Sequence, residues 1–312
     1  TLFPYTTLFR SYFPAAGGFV TPIPTRLAVR CLAHGELGRL DSGTMAPYAA
    51  LMPGGNDERK RLEEAIRDLS PSQMESIRAV VRALSSPIEC TAQPSSNFAT
   101  TQFAVAFGDI LRLHHYFFSD EPFTKDKFEH AMVRVLRSLD HDASLARRGN
   151  RGHDLTVNGE RWSLKTQADA GIRADEIYIS KFMELGRGKW VDERDLANLR
   201  DAMLTHMQAY DRIFSLRCLS RNRSYGHQDV FDYELVEIPK ALLELSRSGV
   251  IEMRHESRQN PKPGYCTVTS KGTVVCRLYF DGGTERKLQI KNILKSACLV
   301  HATWKFTISE SP

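Results

Sequence analysis

The sequence predicts a mixed α/β fold with a β-rich final third, and three observations carry that prediction. Residues 154–165 hold two short alternating apolar runs around Asn158-Gly159, the strongest short-range hairpin signal. Between about 124 and 218 the hydrophobic period switches in the order helix, strand, strand, strand, helix, strand. From Val230 onward, runs rich in Val, Ile, Tyr and Phe recur between turn-forming Gly, Asp and Ser.

Composition bounds the class. The chain has 312 residues, 42% hydrophobic and 25% charged, a normal balance for a globular protein with a sizeable core. No apolar run reaches the length of about eighteen residues that a transmembrane helix needs. The formal charge of +5 is compatible with a nucleic-acid partner without demanding one. Six cysteines, Cys31, Cys90, Cys218, Cys266, Cys276 and Cys298, show no CxxC spacing, so reduced thiols and a cytoplasmic location are expected, and no zinc site.

Taken in order, residues 1–11 resemble the translation of a short-read sequencing adapter. Residues 12–44 are Gly-, Pro- and Ala-rich without steady periodicity, so 1–44 are expected to lie outside the fold, with Met45 as the start. Two amphipathic helices follow within 56–86, separated at Ser70-Pro71, and Cys90 to Thr101 reads as a loop. Residues 45–104 are thus expected to form a helical module and loop, and 105–312 the main domain. Gly108 to Phe118 reads as an apolar helix. Its adjacent His114 and His115 point about 100° apart and are poorly placed to share a metal. The helix beginning near Thr124 puts Phe128, Ala131, Met132, Val135, Leu136 and Leu139 on one stripe, with Glu129 at its edge. A polar, basic loop over 140–153, including Arg147, Arg148, Arg151 and His153, delivers the chain to Asp154.

If Asn158-Gly159 is the two-residue turn, Leu155 pairs with Trp162, Thr156 with Arg161 and Val157 with Glu160, and Asp154 faces Ser163. Alternation then gathers Asp154, Ser163 and Lys165 on one sheet face and Leu155, Val157, Trp162 and Leu164 on the other. After a strand at 176–180, Lys181 to Gly186 reads as a turn or short helix carrying Glu184, and a long helix covers about 192–212. Strands follow at 213–216, 230–238, 250–255, 265–269, 274–280, 288–293 and 299–306, with a helical stretch at 239–248.

An acid at the mouth of a hairpin and a lysine on its second strand suit phosphodiester hydrolysis. A hard cation held by carboxylates polarises the phosphate and activates water, while a lysine on a stiff strand fixes a positive charge beside it. The pattern resembles the skeleton of PD-(D/E)xK nucleases, and the chain order from 124 to 218 is similar to their αβββαβ core, a central mixed sheet flanked by helices. Longer blocks carry the likeness further: Phe128-Glu129-His130, Gly152-His153-Asp154 with Leu164-Lys165-Thr166, Ser180 to Gly186, Tyr210 to Phe214, Leu235 to Lys240, Pro261 to Tyr265, and Leu278 to Gly283 with Glu285 to Lys291. On these the chain is similar to type II restriction endonucleases over about 105–307.

The resemblance implies a bacterial, Mg²⁺-dependent homodimer that cuts double-stranded DNA at a short G·C-rich palindrome, CCCGGG with blunt ends, alongside a cognate DNA methyltransferase. Asp154 and Lys165 match the motif. The acid expected two residues before the lysine is replaced by Ser163, a poor Mg²⁺ ligand. Glu129 and Glu184 are therefore expected as competing or joint substitutes for the missing metal ligand, with Glu160 last because it belongs to the opposite face. Arg286, Lys287, Lys291, Lys262, Lys181 and His153 are the expected DNA contacts, since forked Arg or Lys reads guanine in the major groove. Because of Ser163, an inactive DNA-binding protein of the same fold remains an alternative, as does a repair or recombination nuclease.

Overall fold

The computed structural model describes residues 55–309, apart from 148, 151, 169–170 and 225–227. The chain divides into two compact units, Thr1–Glu64 and Ala65–Pro312. Residues 1–44, Arg148 and Arg151 lie outside the described residues, and with them the adapter-like start and part of the basic loop.

In the first unit the described residues belong to helix α1 (Gly55–Ile66), a charged helix that continues into the second. Helix α2 (Pro71–Ser85) begins on a full capping box: Ser70 Oγ accepts from Gln73 N, and Gln73 Oε1 accepts from Ser70 N. Helix α3 (Thr101–Phe117) starts seven residues earlier than its apolar run suggests, capped by Thr100. Helix α4 is Lys125–Ser138 and helix α5 is Glu193–His206, the latter closing in a 3-10 turn at Met207–Ala209 rather than running on to 212.

Seven strands form a mixed sheet in the order β1-β12-β7-β6-β4-β3-β2. They are β1 (Ile88–Ala92), β2 (Ala143–Leu145), β3 (Leu155–Val157), β4 (Glu160–Gln167), β6 (Arg212–Ser224), β7 (Gln228–Glu237) and β12 (Leu299–Ser309). Only β4 and β6 pair in parallel, joined by the crossover through α5. A second, antiparallel sheet runs β5-β11-β10-β9-β8: β5 (Glu176–Glu184), β8 (Val250–Met253), β9 (Gly264–Ser270), β10 (Thr273–Phe280) and β11 (Lys287–Leu294). Between β7 and β8 lies the short helix α6 (Lys240–Glu244).

Three local expectations are corrected. Residues 88–92 are a strand, because they pair with β12 more than two hundred residues away. Lys181 to Glu184 continue β5 rather than turning, because β11 supplies a partner as far as Lys287↔Glu184. The chain order α4, β2, β3, β4, β5, α5, β6 departs from the expected core: the short strand β2 stands within the stretch 140–153 expected as a loop, because it pairs with β3, and the third expected strand, β5, belongs to the second sheet.

Each face of the mixed sheet covers a core. On one face Leu155, Val157, Trp162, Leu164, Phe214 and Trp304 pack with Phe107 of α3 and Phe128 and Met132 of α4. His115 is buried here, stacked on Phe231 at 3.9 Å and bonded through Nε2 to Tyr233 OH at 2.7 Å, whereas His114 Nε2 meets the Glu121 carbonyl at 3.1 Å. On the other face Ile213 and Val236 pack with the inner side of the second sheet and with Leu196 and Met203 of α5. Fully buried Arg217 bridges the sheets. It donates to Gln167 Oε1 at 3.0 Å and to the Glu176 carbonyl at 2.7 Å, and pairs with Glu234. Gln167 lies two residues beyond Lys165, so this buried charge network anchors the lysine-bearing strand to β5.

Candidate active site

The hairpin has the register its sequence dictates: Leu155↔Trp162, Thr156↔Arg161 and Val157↔Glu160. Asn158 and Gly159 take φ of 49° and 85°, the left-handed pair of a type I′ turn. Asn158 also accepts from Asp142 N at 2.9 Å, fastening the turn to the segment entering β2.

Asp154 stands at the hairpin mouth with its two carboxylate oxygens in different roles. Oδ2 accepts from the backbone N–H of Leu164 at 2.6 Å and lies 3.5 Å from Ser163 Oγ. Oδ1 accepts from Lys125 Nζ at 2.7 Å. The serine in the motif's acid position is thus buried and oriented toward the aspartate.

Lys165 shares this face, partly buried, its Nζ 5.8 Å from the centroid of Phe182 on β5. It makes no hydrogen bond or ion pair with the described residues. Burial pushes its pKa down to about 8; Asp154 and Glu129 oppose that fall and Lys125 adds to it.

Glu129 arrives from α4. Lys125 and Glu129 are one turn apart on that helix, and Lys125 Nζ lies 3.1 Å from Glu129 Oε1 while also touching Asp154. One ammonium therefore holds both carboxylates, whose side chains are only 18% and 20% exposed. Burial raises the pKa of Glu129, opposed by Lys125 and helped by the neighbouring Asp154. Burial also opposes the charged form of Lys125, but the two carboxylates prevail and its pKa is raised.

The other expected residues lie elsewhere. Glu184, on β5, is 72% exposed and pairs with Lys181 at 3.0 Å. Lys181 also reaches Glu285 at 2.7 Å, and Lys287 pairs with Glu285 at 2.9 Å. Arg286 donates to the Arg187 and Gly188 carbonyls at 2.6 Å, Lys262 donates to the Ser257 carbonyl, and His153 meets Asn150 and Thr156. Lys291 differs: it sits over the Tyr279 ring at 3.9 Å without a carboxylate partner among the described residues. Glu160 accepts from Trp162 Nε1 and pairs with Arg212, away from Asp154.

Two residues near the site escaped sequence reading. Lys125 carried a signal, its i,i+4 spacing to Glu129, which reads equally well as an ordinary surface pair. His206, at the end of α5, carried none. Its ring lies 6.3 Å from Phe182, and its pKa is lowered by burial and by Lys165, with Asp154 opposing.

The residues present suit a hard divalent cation. Two carboxylates converge on one cationic nitrogen, and an ion such as Mg²⁺ needs only one or two protein carboxylates, completing its octahedron with water and substrate phosphate. Among the described residues no cluster of three or more His, Cys, Asp or Glu side chains could bind a metal. A metal here would thus rest on Asp154 and Glu129, with Lys165 supplying a fixed charge beside it.

Comparison with known proteins agrees with the chemistry. A family model described as SmaI, type II site-specific deoxyribonuclease, matches residues 62–306. The type II restriction enzyme SmaI of Serratia marcescens is 40% identical over 224 residues, covering 71% of this chain and 87% of that enzyme. No solved structure matches significantly. With most of its length matched by the family model, and a relative so similar over nearly all of that relative's length, the chain belongs to the SmaI family of type II site-specific deoxyribonucleases.

Proposed function

We propose that this deoxyribonuclease is a Mg²⁺-dependent homodimer of the PD-(D/E)xK type that cuts both strands of CCCGGG at its centre to leave blunt ends. A twofold dimer suits a palindrome because the symmetry axes coincide. In this reading it works in the bacterial cytoplasm beside a methyltransferase that protects the host's own sites. The observation that carries the proposal is the meeting of Asp154 and Glu129 at one cation, with Lys165 on the same sheet face as Asp154.

Bound there, the metal would polarise the scissile phosphate and lower the pKa of the attacking water. Asp154, oriented through Oδ2 by the Leu164 amide, and Glu129, carried by a core-packed helix, would hold it. Glu129 thereby fills the role that Ser163 cannot, and Ser163 steadies Asp154. Lys165, kept by burial from a solvated, mobile position, would stabilise the charge gathering on the phosphate.

For DNA contact, Lys291 needs least rearrangement, since Lys181, Lys287, Arg286 and Lys262 must first release protein partners. Arg277 pairs with Lys291 across β10 and β11, so both lie on the outer face of the second sheet with Tyr265 and Tyr279. Bacteriophage DNA incubated with the protein and Mg²⁺ should give discrete blunt fragments ending at the centre of CCCGGG. A smear, or fragments ending at another sequence, would overturn the proposed specificity.

A further inference from the structure

We propose that Lys125 is the resident counter-cation of the Asp154–Glu129 pair, and that a divalent metal binds by displacing it. The proposal rests on the metal-site reading above. Its foundation is the unequal use of the two Asp154 oxygens. Oδ2 is committed to its own hairpin through the Leu164 amide, so Oδ1 is the oxygen left for a metal, and Lys125 Nζ sits on it at 2.7 Å. The same nitrogen lies 3.1 Å from Glu129 Oε1. An ammonium at that point and a divalent metal held by the same two carboxylates would exclude each other sterically and by charge.

The arrangement is also built for exchange. Two partly buried carboxylates converging without a cation would repel each other in a poorly screened setting, so while the metal is away either a proton or a resident cation must offset their charge, and Lys125 stands in contact with both. It reaches them from the first turn of α4 on a four-carbon stem, and its side chain is 41% exposed, so it can leave toward solvent without disturbing the core. Lys165, with no carboxylate in contact, is not in competition. Its charge persists beside the site whichever cation is bound.

The test uses Ca²⁺ as the probe, with binding followed by calorimetry and by thermal melting of the whole protein without DNA. Lys125→Met should lower the melting temperature of the metal-free protein, yet tighten Ca²⁺ binding by about fivefold to tenfold, the scale of removing two partly exposed ion pairs from competition. Lys125→Arg, which keeps the charge, should bind Ca²⁺ within about threefold of wild type. A residue that only props up the helix would weaken metal binding when removed, so unchanged or weaker affinity in Lys125→Met overturns the proposal. Asp154→Asn separates the two readings. If it abolishes Ca²⁺ binding while Lys125→Met leaves affinity unchanged, only the displacement idea falls. If wild-type Ca²⁺ binding does not depend on Asp154, the metal site and the displacement fall together.

Discussion

Among the described residues, two lysines each bridge a pair of carboxylates at closely similar distances. Lys125 bridges Asp154 and Glu129 at 2.7 and 3.1 Å, and Lys181 bridges Glu285 and Glu184 at 2.7 and 3.0 Å. Their surroundings differ. The first pair of carboxylates is 18% and 20% exposed, with one oxygen fixed by a backbone amide. The second is 54% and 72% exposed, on a strand end and a turn. Burial raises the pKa of Glu129, whereas Lys181 and Lys287 hold Glu285 down to about 2 in the open. Equal contact distances thus carry unequal chemistry. A solvated cluster is screened and easily rearranged, while a half-buried one keeps its charges close and poorly screened.

The largest test of that contrast removes the core of the first cluster's site. Asp154→Asn and Lys165→Met should each reduce cleavage about a thousandfold or more while sequence-specific binding stays measurable, compared by single-turnover cleavage and gel shift. Near-wild-type cutting by either would move the active site elsewhere.

Next comes the choice of second carboxylate. Glu129→Gln should cost about a hundredfold in cleavage rate, whereas Glu184→Gln stays within about threefold. The reverse ranking would mean that exposure in the free protein misidentifies the metal ligand.

The remaining test reads stability rather than cleavage and concerns Lys165 and pH. Its folded pKa of about 8 lies below the ordinary 10.5, so as pH rises between these values the folded state gives up this proton before the unfolded state does. The cost of burying a charged lysine is then relieved, and stability should rise relative to Lys165→Met, by up to about 3 kcal/mol. Urea unfolding of the metal-free protein at pH 7.5 and 10 measures the difference. A wild-type advantage that shrinks on going to pH 10 would show that the lysine is not desolvated.

What was legible in the sequence was what neighbouring residues settle among themselves. Asn158-Gly159 accepts the two left-handed conformations of a type I′ turn, and that turn sets the register that brings Asp154, Ser163 and Lys165 to one face. The stripe on α4 likewise foretold which side of the helix is buried, and left Glu129 at its edge. Tertiary structure decided the rest, because it depends on partners distant in the chain. Whether 88–92 is loop or strand is settled by β12, and whether 181–184 turns or extends is settled by β11. Which glutamate meets Asp154 followed from the docking of α4 against the hairpin, since periodicity fixes a residue's direction about its own helix axis and says nothing of what stands opposite. The hairpin's own geometry was therefore written locally, and the approach of Glu129 and Lys125 to it was a product of packing.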